Sequence, residues 1–323
     1  MILPKNKDIS TMSRQDVAAL VLSPTNEKLP PQQRLENCLA MSDLITKMVT
    51  FIICHTIVDF EDDLMHDERL SVANAFLQRV TSTHLCNHKL TKEGISFKYK
   101  GEEFHLHEEF KTMTLTRSVY EHLVMFYFLY EHPKSTEERS VAWNYWKINS
   151  KKNFLDFFPT DAEQTSEEQD HVQADIEALR KEIFDTHIGQ QCHKVLDEWT
   201  KIGKAAKPGS LEFYKEEEQL KVRRITYGQA WKYLFDKEEM MQFYRHLSMH
   251  CHPIYDGLLQ YQSQAQTDEG YDGIPLYLSS CFLAYLCRLF LKQISQGNKL
   301  LKQQFSRQEL YVFNALAQLP NDE

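Results

Sequence analysis

The sequence predicts an all-α fold, a bundle of long helices with one small β-hairpin, and three observations predict it. Only 10 glycines and 10 prolines occur in 323 residues, so few positions suit tight turns or break a helix. Apolar residues recur at three- and four-residue spacing over long stretches, the period of a helix face. A single interval, Ile95 to His107, alternates apolar and polar residues about a Lys-Gly pair, the pattern of a hairpin. No internal repeat and no low-complexity tract interrupts the chain, so residues 1–323 read as a single mostly helical domain.

A short helix near Arg14 to Val21 precedes a loop through Pro30-Pro31. A long helix follows from about Gln32 to Asp59, apolar at Leu35, Leu39, Ile45, Val49, Ile52 and Ile53. The next spans roughly Asp67 to His88 on Leu70, Ala73, Phe76, Leu77 and Val80. After the hairpin, Glu108 to Tyr130 is strongly helical and almost wholly apolar toward its end. Ser135-Thr136-Glu137-Glu138 is a capping box opening a helix through Trp143 and Trp146. Between Asp161 and Asp185 nine acids stand against Arg180 and Lys181, and the stretch runs on through Val195 and Trp199. A charged, solvated helical arm is therefore expected around residues 160–203. Lys204 to Ser210 is a loop, Thr226-x-x-Gln229 and Asp236-x-x-Glu239 are helix starts, and helices over Gly273–Ile294 and Arg307–Leu316 complete the set.

Composition narrows the function classes. Hydrophobic content of 42% and charged content of 26% are those of an ordinary globular protein. A net charge of −9 supplies no global field to gather nucleic acid, so any RNA contact needs a local basic patch. The seven cysteines are odd in number, form no C-x-x-C, and several lie in apolar runs, which points to free thiols in a reducing cytoplasm. The first residues lack the long apolar segment of a signal peptide. The longest uncharged run, Gly273 to Cys287, is 15 residues, short of the ~20 that a spanning helix needs. A buried core helix and no membrane contact are expected.

The densest chemistry lies in Tyr244-Arg245-His246-Leu247-Ser248-Met249-His250-Cys251-His252-Pro253. On a helical wheel started at Met240, Leu247, Cys251, Ile254 and Leu258 fall within roughly 40° of Met240 and form the core face with it. Ser248, His252 and Arg245 cluster at roughly 80–140°, along one edge of that face. His250, with His246 near it, falls on the other edge, about 140° from Arg245. A histidine moves protons near neutrality and an arginine holds a phosphate and its developing charge. Arg245 and His252 can thus meet one phosphodiester. The alternative is structural, with Arg245 paired to Glu121 and His252 bound to a loop carbonyl.

Arg117 and Glu121 form a second polar centre, opposite charges at i, i+4 on a stripe shared with Phe110, Met113, Val124 and Phe128. Burying either alone costs several kcal/mol, so they serve as a mutually satisfied pair fixing helix register, or Glu121 orients a histidine or arginine of a neighbouring helix. Arg117, Glu121, Ser248 and His252 are expected in one interhelical cluster. His246 and His250 have a spacing able to grip zinc, but no H-E-x-x-H and no suitably spaced carboxylate accompany them, so no metal is expected. With no G-x-G-x-x-G, no P-loop and no G-x-S-x-G elbow, no cofactor is expected either.

Arg117-Ser-Val-Tyr-Glu121 and Tyr244-x-x-Leu247-Ser248-x-x-x-His252 together resemble the R-x-x-x-E and Y-x-x-L-S-x-x-x-H helices of a mostly bacterial helical family known only as a domain of unknown function. Arg245 followed by His250 or His252 is also similar to the R-x(4–6)-H signature of the HEPN superfamily of helical RNases and toxins. That second resemblance implies a homodimer cleaving RNA without metal, the ribose 2′-hydroxyl attacking the adjacent phosphate. It implies His252 or His250 as general base or acid, Arg245 as transition-state clamp, and His246 in the polar position after the arginine. Tyr244, Ser248, Arg117 and Glu121 would support them. The competing expectation is a non-enzymatic helical interaction protein whose polar cluster only specifies packing.

Overall fold

A computed structural model describes residues 8–106, 109–157, 165–204, 206, 209–235, 242, 244, 245, 247, 248, 273–294 and 297–317. The all-α class holds. The chain divides into two compact units, residues 1–123 with 231–323 and residues 124–230.

In the first unit, α1 (Arg14–Leu22) leads to α2 (Pro31–Asp59), which starts on Pro31 at a position where the missing N–H costs nothing. Cys38, Met41, Ile45, Met48, Val49 and Ile52 recur at helical spacing along α2 and are fully buried. Each such side chain contributes about 1.5–3 kcal/mol on burial. The short α3 (Glu61–His66) hands over to α4 (Glu68–Glu93), whose first N–H groups are met by the Asp67 carboxylate at 2.8 and 3.0 Å. The N-terminal half of α4 buries Leu70, Ala73, Leu77 and Val80 with one polar residue, Asn74, whereas its C-terminal half buries Thr81, His84, Asn87 and Thr91. Apolar packing gives way to a polar layer along one helix.

The expected hairpin follows as β1 (Ile95–Tyr99) and β2 (Glu102–Leu106), antiparallel with Tyr99 opposite Glu102. Its two-residue turn places Lys100 and Gly101 at φ 52° and 87°, the conformation that hairpin twist requires. Next, α5 (Glu109–Phe126) runs into a π-helical turn over Tyr127–Glu131. Near the C-terminus, beyond α10 (Tyr227–Leu234), α11 (Ile274–Leu291) packs against α2, α4 and α13 (Arg307–Ala317). Gly273 sets the start of α11 at φ 76°, and a Cβ there would come within 3.1 Å of Cys38 and Leu35. Between them α12 (Gly297–Gln304) closes the unit. The α13 N-terminus is a capping box, Ser306 Oγ accepting from Glu309 N and Glu309 accepting from Ser306 N at 2.8 Å.

By length and composition α2 and α11 are both apolar enough to cross a membrane, although 78% of the α11 window is buried inside the protein. The Asn87 amide of α4 donates to Thr116 Oγ1 of α5 at 2.8 Å, and that hydroxyl lies 2.8 Å from the Pro275 carbonyl of α11. One polar chain thereby links three helices and pairs the buried Asn87 N–H and Thr116 O–H groups.

In the second unit, α6 (Thr136–Phe157) opens on the expected capping signal, with Glu138 N donating to Ser135 Oγ at 3.1 Å. The stretch expected as a solvated arm differs. It folds as α7 (Thr165–Asp185), α8 (His187–Gln191) and α9 (His193–Thr200). The acids of α7 are exposed, but Ile176, Ile183, Ile188 and Leu196 pack with Val141, Tyr145 and Ile148 of α6 into a core. Arg180 bridges α7 to α9 through Asp197 at 2.5 Å.

A second hairpin, which the sequence reading leaves unassigned, completes this unit: β3 (Ser210–Glu216) and β4 (Gln219–Ile225), antiparallel with Glu216 opposite Gln219. The single hairpin expected is therefore two among the described residues. Leu211 and Val222 join the core, and α10 (Tyr227–Leu234) follows behind Thr226, whose backbone N–H donates to Gln229.

Candidate functional site

Helix α5 carries Met113, Arg117, Tyr120, Glu121 and Val124 along its inner side, with Tyr120 fully buried and Val124 nearly so. Arg117 Nε donates to Glu121 Oε1 at 2.7 Å, and the two side chains are 21% and 27% exposed. Four residues apart on one helix, they neutralise each other at the boundary of the core, where a lone charge would be costly.

The second segment comes back onto this pair. The Arg117 guanidinium lies over the Tyr244 ring, 5.7 Å from its centre, a cation–π contact. Tyr244 also packs against Tyr120 with ring centres 5.1 Å apart, and Tyr120 in turn touches Trp231 and Phe282 at 5.3 and 5.5 Å. Ser248 Oγ donates to the Tyr244 carbonyl at 2.8 Å, while Leu247 is buried beside it. Arg245 is exposed.

Four of the residues singled out from the sequence, Arg117, Glu121, Tyr244 and Ser248, thus stand in one cluster. Glu121 takes Arg117 as partner. Arg245, on the same turn as Tyr244, faces solvent. His246, His250 and His252 lie outside the described residues, as does the helix start expected at Asp236-x-x-Glu239.

Burial raises the Tyr244 phenol above its ordinary range, with Arg117 pulling it down and Glu121 pushing it up. Burial does the same to Tyr120, assisted by Tyr244 and Glu121. Both phenols stay protonated at neutral pH, so they serve as packing surface and hydrogen-bond donors rather than as bases. Chemically the cluster can hold a helical turn at fixed height and orientation while Arg245 projects to solvent. Tyr120 is the residue that sequence reasoning missed, although it lies inside the Arg117–Glu121 motif. Among the described residues no three His, Cys, Asp or Glu side chains converge on a metal position.

No curated protein and no solved structure matches the chain. A family profile does match, over residues 107–271, a range that contains both the Arg117–Glu121 and the Tyr244–His252 segments. The chain belongs to that family, described as "Family of unknown function (DUF5677)".

Proposed function

We propose that the protein is a HEPN-like, metal-independent ribonuclease or defence-type toxin, acting as a homodimer in the cytoplasm, with RNA as its partner. The observation carrying this reading is the two-sidedness of one helical turn. Tyr244 is anchored by Arg117 and Tyr120, Ser248 is bonded to the Tyr244 carbonyl and Leu247 is buried, while Arg245 is exposed. A cation held at a fixed position costs less to align with a phosphate than one on a mobile segment.

In this reading Arg245 holds the scissile phosphate and its developing charge. His252 or His250 takes the proton from the ribose 2′-hydroxyl, whose oxygen then attacks phosphorus. The bond from phosphorus to the 5′-oxygen breaks, and that oxygen receives a proton from the other histidine or from water. His246 supplies a further polar contact beside the arginine.

The test is to express the chain and treat RNA with it in EDTA. Growth slowing and products ending in 2′,3′-cyclic phosphate support the reading, and His252→Ala abolishes both. Because the wheel sets His250 about 140° from Arg245, His250→Ala has the milder effect unless the second protomer supplies the partner of Arg245. RNA left intact by folded dimer across substrates overturns the proposal. A second reading, a non-enzymatic interaction protein, draws on another observation. Arg117 and Glu121 satisfy each other, and Ser248 is satisfied within its own turn.

A further inference from the structure

A line of five side chains runs through the polar layer of the first unit. From the surface inward it passes through Asp43 and Ser42 of α2, His88 and His84 of α4, and Ser279 of α11. The Asp43 carboxylate, 68% exposed, lies 3.4 Å from His88 Nε2. His88 Nδ1 is 2.9 Å from Ser42 Oγ, which is also 2.9 Å from His84 Nε2. His84 Nδ1 is 2.8 Å from Ser279 Oγ. Ser42, His84 and Ser279 are all fully buried.

Once the His88 proton is placed, donor counting sets the direction of the other links. The Asp43 carboxylate, 3.4 Å from Nε2, only accepts and so favours the His88 proton on Nε2 when the ring is neutral, leaving Nδ1 bare. Ser42 then donates its single proton to His88 Nδ1 and accepts from His84 Nε2–H. His84 Nδ1 is consequently bare and accepts from Ser279. If His88 gains a proton, its Nδ1–H donates to Ser42 Oγ. The two lone pairs of Ser42 Oγ could then accept from both rings, but its own proton would be left without a partner in this line. Turning that proton to a bare His84 Nε2 keeps it paired, and the His84 proton then resides on Nδ1 and donates to Ser279 Oγ. One solvent proton is taken up in all, and it ends on His88. His84 keeps a single ring proton, exchanged from Nε2 to Nδ1 through solvent, and stays neutral.

We propose that this line is a pH-sensing relay in which protonation of His88 near the surface switches the tautomer of His84 in the core and reverses the hydrogen bond to Ser279 on α11. Ser42 is the coupling element, because one hydroxyl proton cannot serve two ring nitrogens. The groups that bias the surface end are Asp43 from α2, and Lys92 and Glu93 from α4. Burial lowers the His88 affinity for a proton, Asp43 raises it, Lys92 lowers it and Glu93 raises it. The one charged residue of α11, Arg288, is nine residues beyond Ser279, about 13 Å along the helix. On the inner side, burial is the main force keeping His84 neutral, with the charge of His88 next.

The experiment follows the ring nitrogens of the full chain, labelled with ¹⁵N-histidine, by long-range proton–nitrogen correlation spectra through the His88 titration. His84→Gln and His88→Gln assign the signals. The relay predicts that His84 stays neutral while its protonated nitrogen changes from Nε2 to Nδ1 with the same midpoint at which His88 charges. In Asp43→Asn both midpoints move down together by the same amount. In Ser42→Ala the His84 tautomer stops following His88; if that variant does not fold, the Asp43→Asn shift decides alone. A His84 tautomer that stays constant while His88 charges, or a shift of only one midpoint in Asp43→Asn, overturns the proposal.

Discussion

Acidification should destabilise the protein specifically through His84, by an amount that its surroundings set. The ring is wholly buried and burial holds its proton affinity far down, at about 3 against an ordinary 6.5. In the unfolded chain the same ring titrates near its ordinary value. The folded state thus binds fewer protons than the unfolded state between those two values. The stability tied to the neutral ring is fully present above pH 6.5 and is lost as pH falls through 6.5 toward 3. Each pH unit costs about 1.4 kcal/mol in that window, so a drop to pH 5 removes roughly 2 kcal/mol. Other groups titrate over the same range, and a variant isolates this one. Urea unfolding near pH 7.5 and pH 5 would be compared for the natural chain and His84→Gln, which keeps an amide among the serines but cannot charge. The natural chain should lose about 2 kcal/mol more than the variant between the two conditions. Equal losses in the two proteins would refute the reasoning, as would a folded state in which His84 charges above pH 5.

Two further outcomes follow from packing. Arg117→Ala leaves the half-buried Glu121 carboxylate without its partner and strips the cation from Tyr244, so thermal melts should show a loss of about 1–3 kcal/mol; Arg117→Lys should recover only part of it, lacking the planar group that stacks. Gly189→Ala should destabilise the second unit by about 1–3 kcal/mol or abolish its folding, because a Cβ there would sit 1.9 Å from the Ile183 carbonyl oxygen, a backbone atom with little room to yield. Chemical unfolding followed by the Trp199 environment would read this change.

Much of the fold was legible because its signals are periodic. The apolar stripe of α2, the Asp67 start of α4 and the Lys-Gly turn of the first hairpin are local, and local patterns survive into structure. The second hairpin was hidden because its turn is Glu217-Glu218, both at positive φ (48° and 63°), where asparagine or glycine is the usual sign. Its strands are also rich in charge, since Arg223 pairs with Glu212 and Lys221 with Glu216 across the ladder. The nine acids of 161–185 similarly concealed Ile176, Leu179 and Ile183, whose spacing is that of a core face.

The site divides along the same line. The Arg117–Glu121 pair is a four-residue relation and was readable from α5 alone. The contact of Arg117 with Tyr244 joins segments far apart in the chain, and so does the link of His84 to Ser42 and Ser279, 42 and 195 residues away. Histidines four apart are visible in a sequence, but the serines that complete their chemistry are not.

The measurement closest to the central claim compares Arg245→Ala with the natural chain in two assays at once, RNA cleavage in EDTA and thermal melting. Arg245 is exposed, so its removal should leave stability within about 0.5 kcal/mol. If it is the phosphate clamp that the cluster positions, cleavage should vanish. Cleavage by Arg245→Ala at the rate of the natural chain would contradict the account.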